Sequence, residues 1–302
     1  MKSKLYFLRY AVAFGVCVFG VLVTCQTIAE SLVAPGAEVK KLRGDFSFIE
    51  GPTADGEGNI FFSDIPENKI YKWSVEGELS LFRENSGGAN GLLFDGDGNL
   101  FACEGIVQRV TSQALDGTIS VVAERYEGKR LNSPNDLWFD AKGGFYFTDP
   151  RYQFFTHEKE QDGEHVYYVS ADRKSITRVT DDVNKPNGIM GSLDGKKLYV
   201  ASTNGKIFVF DVKTDATLEN KDIFADQGSD GMTMDERGNL YLTWVAGVTI
   251  FAPDGTKLET IKVPEMPANF GFGGRDMSTL FMTARTGLYS VEMSVKGHST
   301  AR

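Results

Sequence analysis

The chain has 302 residues, 41% hydrophobic and 24% charged, the balance of a globular protein with a sizeable core. A formal net charge of −9 tells against a nucleic-acid partner, which would be met by a basic face. Two of the three cysteines, Cys17 and Cys25, lie near the start of the chain, so Cys103 has no partner further on and no disulfide framework is expected.

Lys2, Lys4 and Arg9 precede an apolar run over 11–23, and a small residue follows at Ala29. A basic stretch, a short apolar stretch and a small-residue cleavage zone form a secretory signal, so residues 1–29 are expected to be a signal peptide or an N-terminal anchor. The run is short of the roughly 20 apolar residues that span a bilayer. Export to a periplasm or the outside follows, with membrane attachment only if the leader stays or Cys25, in "LVTC", is lipidated. Residues 30–41 are read as a short linker.

From there one phrase repeats: a polar residue, a few apolar positions, a Gly-containing turn, then a second apolar run. It occurs at "EGPTADGEGNIFFSD", "NGLLFDGDGNLFACE", "NDLWFDAKGGFYFTD", "NGIMGSLDGKKLYVA", "DGMTMDERGNLYLTW" and "NFGFGGRDMSTLFMT". The heads are Glu50, Asn90, Asn135, Asn187, Asp230 and Asn269, at spacings of 40, 45, 52, 43 and 39. A period of about 40–45 residues with strand chemistry is that of propeller blades. Each unit reads as two strands joined by a tight turn, a third such as "KIYKW", "KIFVF" or "GVTIF", and a less regular fourth such as "ELSLFR" or "KLETIKV". The expected fold is all-β, a six-bladed propeller of four-stranded antiparallel blades over 42–302. Trp73, Trp138 and Trp244 sit in strand patterns and are expected to pack blade on blade.

In a propeller the innermost strands line the central channel, so the six heads converge at one mouth. Asn and Asp are common turn residues, but six oxygen-bearing heads, Glu50 among them, read better as converging donors. Carboxylate and amide oxygens suit a hard divalent cation, Ca²⁺ first, then Mg²⁺ or Mn²⁺. Zinc, though possible, usually takes His or Cys, and His157, His165, His298 and Cys103 are not paired at ligand spacing. His157 and His165 fall in the charged stretch "HEKEQDGEH", expected as a solvated loop, and His298 in a polar tail. Cys103 reads as a small buried hydrophobe.

Together "FIEGP", "GKRLNSPNDLWFD", "YFTDPRY", "NKPNGI" and "SDGM" resemble the gluconolactonase branch of the SMP-30/gluconolactonase (regucalcin-like) family over residues 42–292. The resemblance implies a six-bladed propeller holding one divalent cation and hydrolysing lactones. Carried over by motif, it implies Glu50, Asn187 and Asp230 as metal ligands, Asp230 also as catalytic residue, and Asn135 next to metal or substrate. Some relatives carry Arg where this chain has Ser133, and Arg151 and Gln153 depart from a common "TDPPYG". Arg151 and Tyr152 are therefore expected to remodel the pocket rim.

The expected activity is hydrolysis of a small-molecule lactone, most simply a sugar lactone such as glucono-δ-lactone. The cation polarises the carbonyl and lowers the pKa of a bound water, and Asp230 acts as general base or nucleophile. Asn135 and Asn90 orient substrate hydroxyls, and Glu104 is a further candidate for the pocket. No protein partner is implied. Two alternatives stay open: a phosphoester or phosphofluoridate hydrolase on the same site, and a calcium-stabilised binding propeller without turnover.

Overall fold

The computed structural model describes residues 31–152, 157–245 and 247–298. The expected leader over 1–29 lies outside the described residues. Among those residues there are strands and turns and no helix.

Six four-stranded antiparallel sheets follow one another along the chain. Their innermost strands are Ile49–Ala54, Ala89–Phe94, Leu137–Phe139, Pro186–Gly191, Met232–Met234 and Asn269–Gly273. Each pairs outward in sequence order; in the first blade the partners are Ile60–Asp64, Lys69–Trp73 and Leu79–Glu84. The six-bladed propeller read from the repeats is the fold.

The repeated turn joining the first and second strands has a local cause. Asp55 Oδ1 accepts from the backbone N of Glu57 (3.0 Å) and Asn59 (2.9 Å). Asp95, Asp140 and Asp235 take the same two bonds in blades two, three and five. An aspartate bonding the backbone two and four residues on closes the turn without help from elsewhere. The residue before the last position of each turn, for example Gly58 at φ 87°, needs the left-handed conformation that glycine adopts without strain.

Blade six is completed from the other end of the propeller. Lys40–Arg43 pairs with Gly287–Glu292, with Lys40 opposite Ser290 and Lys41 opposite Tyr289. The linker expected over 30–41 is thus corrected. Leu32 is buried in a cluster with Tyr241, Phe270 and Val291, and Val33 bridges to Met293. The apolar residues of this stretch close the ring, which removes an open sheet edge and ties the first blade to the last.

The core lies between blades. Trp138 stacks on Tyr146 with centroids 5.9 Å apart, and a Cβ at Gly191 would come 2.1 Å from Trp138 Cζ2, so the tryptophan occupies the space left by a missing side chain. Trp73 packs partly buried beside Phe46 and Phe62. Trp244 does not follow: it ends its strand at the mouth-side turn and is 42% exposed. His165 also departs from its expected solvated loop. It opens the strand His165–Val169, is buried, and pairs through Nε2 with Asp162 Oδ1 at 2.8 Å. Cys103 is buried as expected, and burial pushes its thiol well above the ordinary range.

Candidate active site

Five of the six heads line one cavity of about 370 Å³ at the mouth of the channel: Glu50, Asn90, Asn135, Asn187 and Asp230. Phe48, Ile65, Pro66, Ser133, Pro134, Tyr152 and Thr203 form its walls. These residues come from strand starts and loops spread over more than 180 positions and meet only because every innermost strand starts at the same end.

The heads are held in a ring by their neighbours. Backbone N–H groups of Gly91, Gly188 and Gly231, each directly after a head, donate at 2.8 Å to the carbonyls of Asn135, Asp230 and Ala268 in the following blade. A Cβ at Gly51 would stand 2.1 Å from the Asn90 carbonyl oxygen, and one at Gly188 would stand 2.4 Å from that of Asp230. The glycine after a head therefore lets the next blade's backbone approach, which accounts for the recurring head–Gly pair. Hydroxyls at the ends of the second strands complete the ring: Ser63 Oγ donates to the Asn90 carbonyl (2.9 Å), and Thr148 Oγ1 to that of Asn187 (2.7 Å).

Two buried aspartates shape the loops above. Asp64 accepts from the backbone N of Ser47 and Phe48 at 2.9 and 3.1 Å. Asp149 accepts from the backbone N of Asn132 and Ser133 at 2.8 and 2.7 Å. They place Phe48 and the Ser133–Pro134–Asn135 segment on the cavity wall.

Asn187 links the floor to the wall. Its Nδ2 donates to Asp230 Oδ1 (2.7 Å) and to the Tyr152 hydroxyl (2.8 Å), and Oδ1 accepts no hydrogen bond from the described residues. The side-chain amides of Asn90 and Asn135 likewise make none within the described protein, although Asn135 is only 5% exposed. All three amides line the cavity, where their free atoms are open to solvent or to a ligand.

The carboxylates are crowded. Glu50 is buried, with Oε2 accepting from the Gly51 N–H at 2.8 Å. Burial, then the charge of Asp230, pushes its pKa well above the usual carboxylate range. Burial raises Asp230 to about 6 against the opposing pull of the Asn187 amide and the more distant Arg285. No lysine or arginine is among the residues lining the cavity. Two buried carboxylates, with Glu50 raised further by the charge of Asp230, with oxygen-bearing amides beside them and no His or Cys, fit a hard divalent cation rather than zinc. The set has too few acidic or His/Cys groups for a metal cluster built from those alone, and none occurs among the described residues.

Asp136 is the functional candidate absent from the sequence-derived set. It follows head Asn135 where blades one, two, four and five have glycine, and that break in the pattern is the signal that marks it. Its carboxylate lines the channel just below the floor, where burial, joined by the charge of Asp230, raises its pKa to about 7. The sixth head, Asn269, sits at this lower level too, its amide close enough to pull down the pKa of both Glu50 and Asp136.

Two expected rim or pocket residues are elsewhere. Glu104 does not line the cavity. Its fully buried carboxylate is taken by Arg83, by Arg109 Nε (2.6 Å) and by Thr111 Oγ1 (2.6 Å). Arg151 also stays off the cavity wall, its Nη1 donating to His157 Nδ1 at 2.8 Å and its backbone N to Glu164 Oε1 at 2.8 Å. Tyr152 is on the wall as expected, and Gln153 lies outside the described residues.

Known proteins share the fold and much of the sequence. Gluconolactonase of Zymomonas mobilis is 29% identical over 302 aligned positions, covering 89% of this chain and 85% of its own length. Diisopropyl-fluorophosphatase of Loligo vulgaris is 31% identical over 188 positions, 56% of this chain and 59% of its own. Among solved structures, a gluconolactonase from Xanthomonas campestris superposes with a TM-score of 0.82 at 28% identity, covering 87% of this chain and 91% of that one. Residues 48–286 match the family described as SMP-30/Gluconolactonase/LRE-like region, and the chain belongs to that family.

Proposed function

We propose that this protein is a hydrolase that opens lactones, a sugar lactone such as glucono-δ-lactone in particular, at the floor of the mouth cavity with one divalent cation, Ca²⁺ first. The observation that carries the reading is the floor itself, where crowded carboxylates and amides unsatisfied by protein meet in a walled cavity. Glu50, Asn135, Asn187 and Asp230 are the residues to hold the cation. When bound, it supplies a Lewis acid for the lactone carbonyl and offsets the charge of the two carboxylates.

The protein's own groups do the rest. Asp230, its pKa raised by burial to about 6 in the metal-free site, takes the proton from the attacking water, and that proton passes to the ring oxygen as the acyl–oxygen bond breaks. Asn187 fixes Asp230 through its 2.7 Å bond, and Asn90 and Asn135 turn their amides to the substrate's hydroxyls. Phe48, Ile65, Pro66 and Pro134 keep bulk water off one side of the ring. The relationship to a fluorophosphatase favours one second reading, attack on a phosphorus ester at the same floor.

The test is proton release from glucono-δ-lactone above the spontaneous rate, with purified protein untreated, after EDTA, and after return of Ca²⁺, Mg²⁺, Mn²⁺ or Zn²⁺. Loss with EDTA and recovery with one ion is the expected result. No turnover with any ion rejects the gluconolactone reading and sends the search to phosphorus esters, then to a binding role. Export is part of the proposal and rests on the leader; the N-terminus of the mature protein, read by mass spectrometry, tests it.

A further inference from the structure

Above the acidic floor the charge changes sign. Arg285 sits in the turn that joins the last two strands of blade six, in a left-handed backbone conformation (φ 56°). Its guanidinium lies 5.7 Å from the centroid of Phe48, and Nη2 donates to Met266 Sδ at 3.7 Å. Lys185, immediately before the innermost strand of blade four, is also left-handed (φ 43°), with Nζ 5.6 Å from the Tyr152 ring centroid. Phe48 and Tyr152 both line the cavity.

Four features, taken together, bear on what these two side chains do. Each rests on an aromatic residue that is itself cavity wall, so its position is tied to the pocket. Neither is ion-paired among the described residues, whereas Lys41, Arg109, Arg178, Lys197, Lys221 and Arg275 are. They stand half a ring apart, Arg285 at the junction of blades six and one, Lys185 at that of blades three and four. The charge of Arg285 is also felt at Asp230 on the floor, so the rim lies within electrostatic reach of the site.

We infer that Lys185 and Arg285 are specificity residues, and that the preferred substrate is a lactone carrying an anionic group, carboxylate or phosphate, remote from the ring carbonyl. With the carbonyl at the floor, such a group projects toward the rim, where a cation waits on either side. Unpaired cations over low-dielectric walls attract the anion during approach and hold it once seated. A neutral polyol lactone gains nothing from them. The inference rests on the proposed lactonase activity and narrows its substrate class.

The experiment compares kcat/KM for three probes: glucono-δ-lactone, its 6-phosphate ester, and glucaro-1,4-lactone, which carries a carboxylate. Wild type is expected to prefer at least one charged probe over the neutral one by about tenfold or more at low salt. That preference should shrink several-fold between 20 and about 300 mM NaCl, values that span strong and weak screening. The double variant Lys185→Met/Arg285→Gln should lose the preference, chiefly through KM, and Lys185→Arg/Arg285→Lys should keep most of it. The two charged probes tell phosphate from carboxylate. The inference is overturned if wild type prefers neither charged lactone to the neutral one, or if the double variant lowers all three rates in proportion. Turnover of no probe removes the lactonase reading as well, so the two failures are distinguishable.

Discussion

Replacing Glu104 by glutamine separates a structural carboxylate from a substrate-binding one. Glu104 has no exposed surface and serves three donors, Arg83, Arg109 and Thr111. Arg83 reaches it from the outermost strand of blade one with a side chain only 6% exposed, and its Nε and Nη1 have no other partner. Removing the charge leaves a buried guanidinium without its counterion, a change that costs about 3–5 kcal/mol. The amide oxygen of glutamine still accepts one of the bonds, which places the expected loss near the lower end, about 3 kcal/mol. In a domain of this size that lowers Tm by roughly 6–12 °C. Because the side chain does not line the cavity, kcat/KM for a lactone at 25 °C should stay within about twofold of wild type. Thermal melts and proton-release kinetics on one preparation measure both. Unchanged Tm with lost turnover would refute the reasoning and return Glu104 to the pocket. The paired change Glu104→Leu with Arg83→Met should recover most of the stability, since neither charge is then left buried alone.

Asp230→Asn should lower turnover by about 10²–10⁴-fold, yet raise the Tm of metal-free protein at pH 7, because it removes the charge that opposes ionisation of Glu50. A lower Tm in EDTA would contradict the crowding described for the floor. Asp136 binds its proton more tightly in the fold (pKa about 7) than an ordinary aspartate does (3.8), so metal-free stability should fall as pH rises through that window. Asp136→Asn should flatten that fall in melts run from pH 4 to 8 with EDTA. Gly51→Ala would force a Cβ to 2.1 Å from the Asn90 carbonyl oxygen at φ 52°, and the expected cost is about 2–4 kcal/mol together with displacement of Glu50. Deleting residues 31–43 leaves Gly287–Glu292 without its outer partner, and aggregation on heating, followed by light scattering, should rise above wild type.

The relation between sequence and site is uneven along the ring. Glu50, Asn90, Asn135, Asn187 and Asp230 were all legible as heads because each opens a phrase whose turn is built from adjacent residues. Asn269 carries the same phrase, yet its side chain drops one level, to a place beside Glu50 and Asp136. Gly231, beside Asp230, leaves the space, since a Cβ there would stand 1.9 Å from Asn269 Cγ. That accommodation joins residues 38 positions apart and has no local mark.

The amino-acid order by itself determined the number of blades, their antiparallel hairpins and the set of oxygen-bearing heads, because aspartate turns, glycines and alternating strands act over a few residues. Tertiary structure alone decided which heads share the cavity, that Asp136 joins them from below, that Glu104 belongs to Arg83 and Arg109, and that residues before 42 close the ring. Each of those outcomes depends on partners far apart in the chain, Lys40 with Ser290 or Arg83 with Glu104, and a pairing of that kind exists only once the blades have assembled and water has been excluded between them.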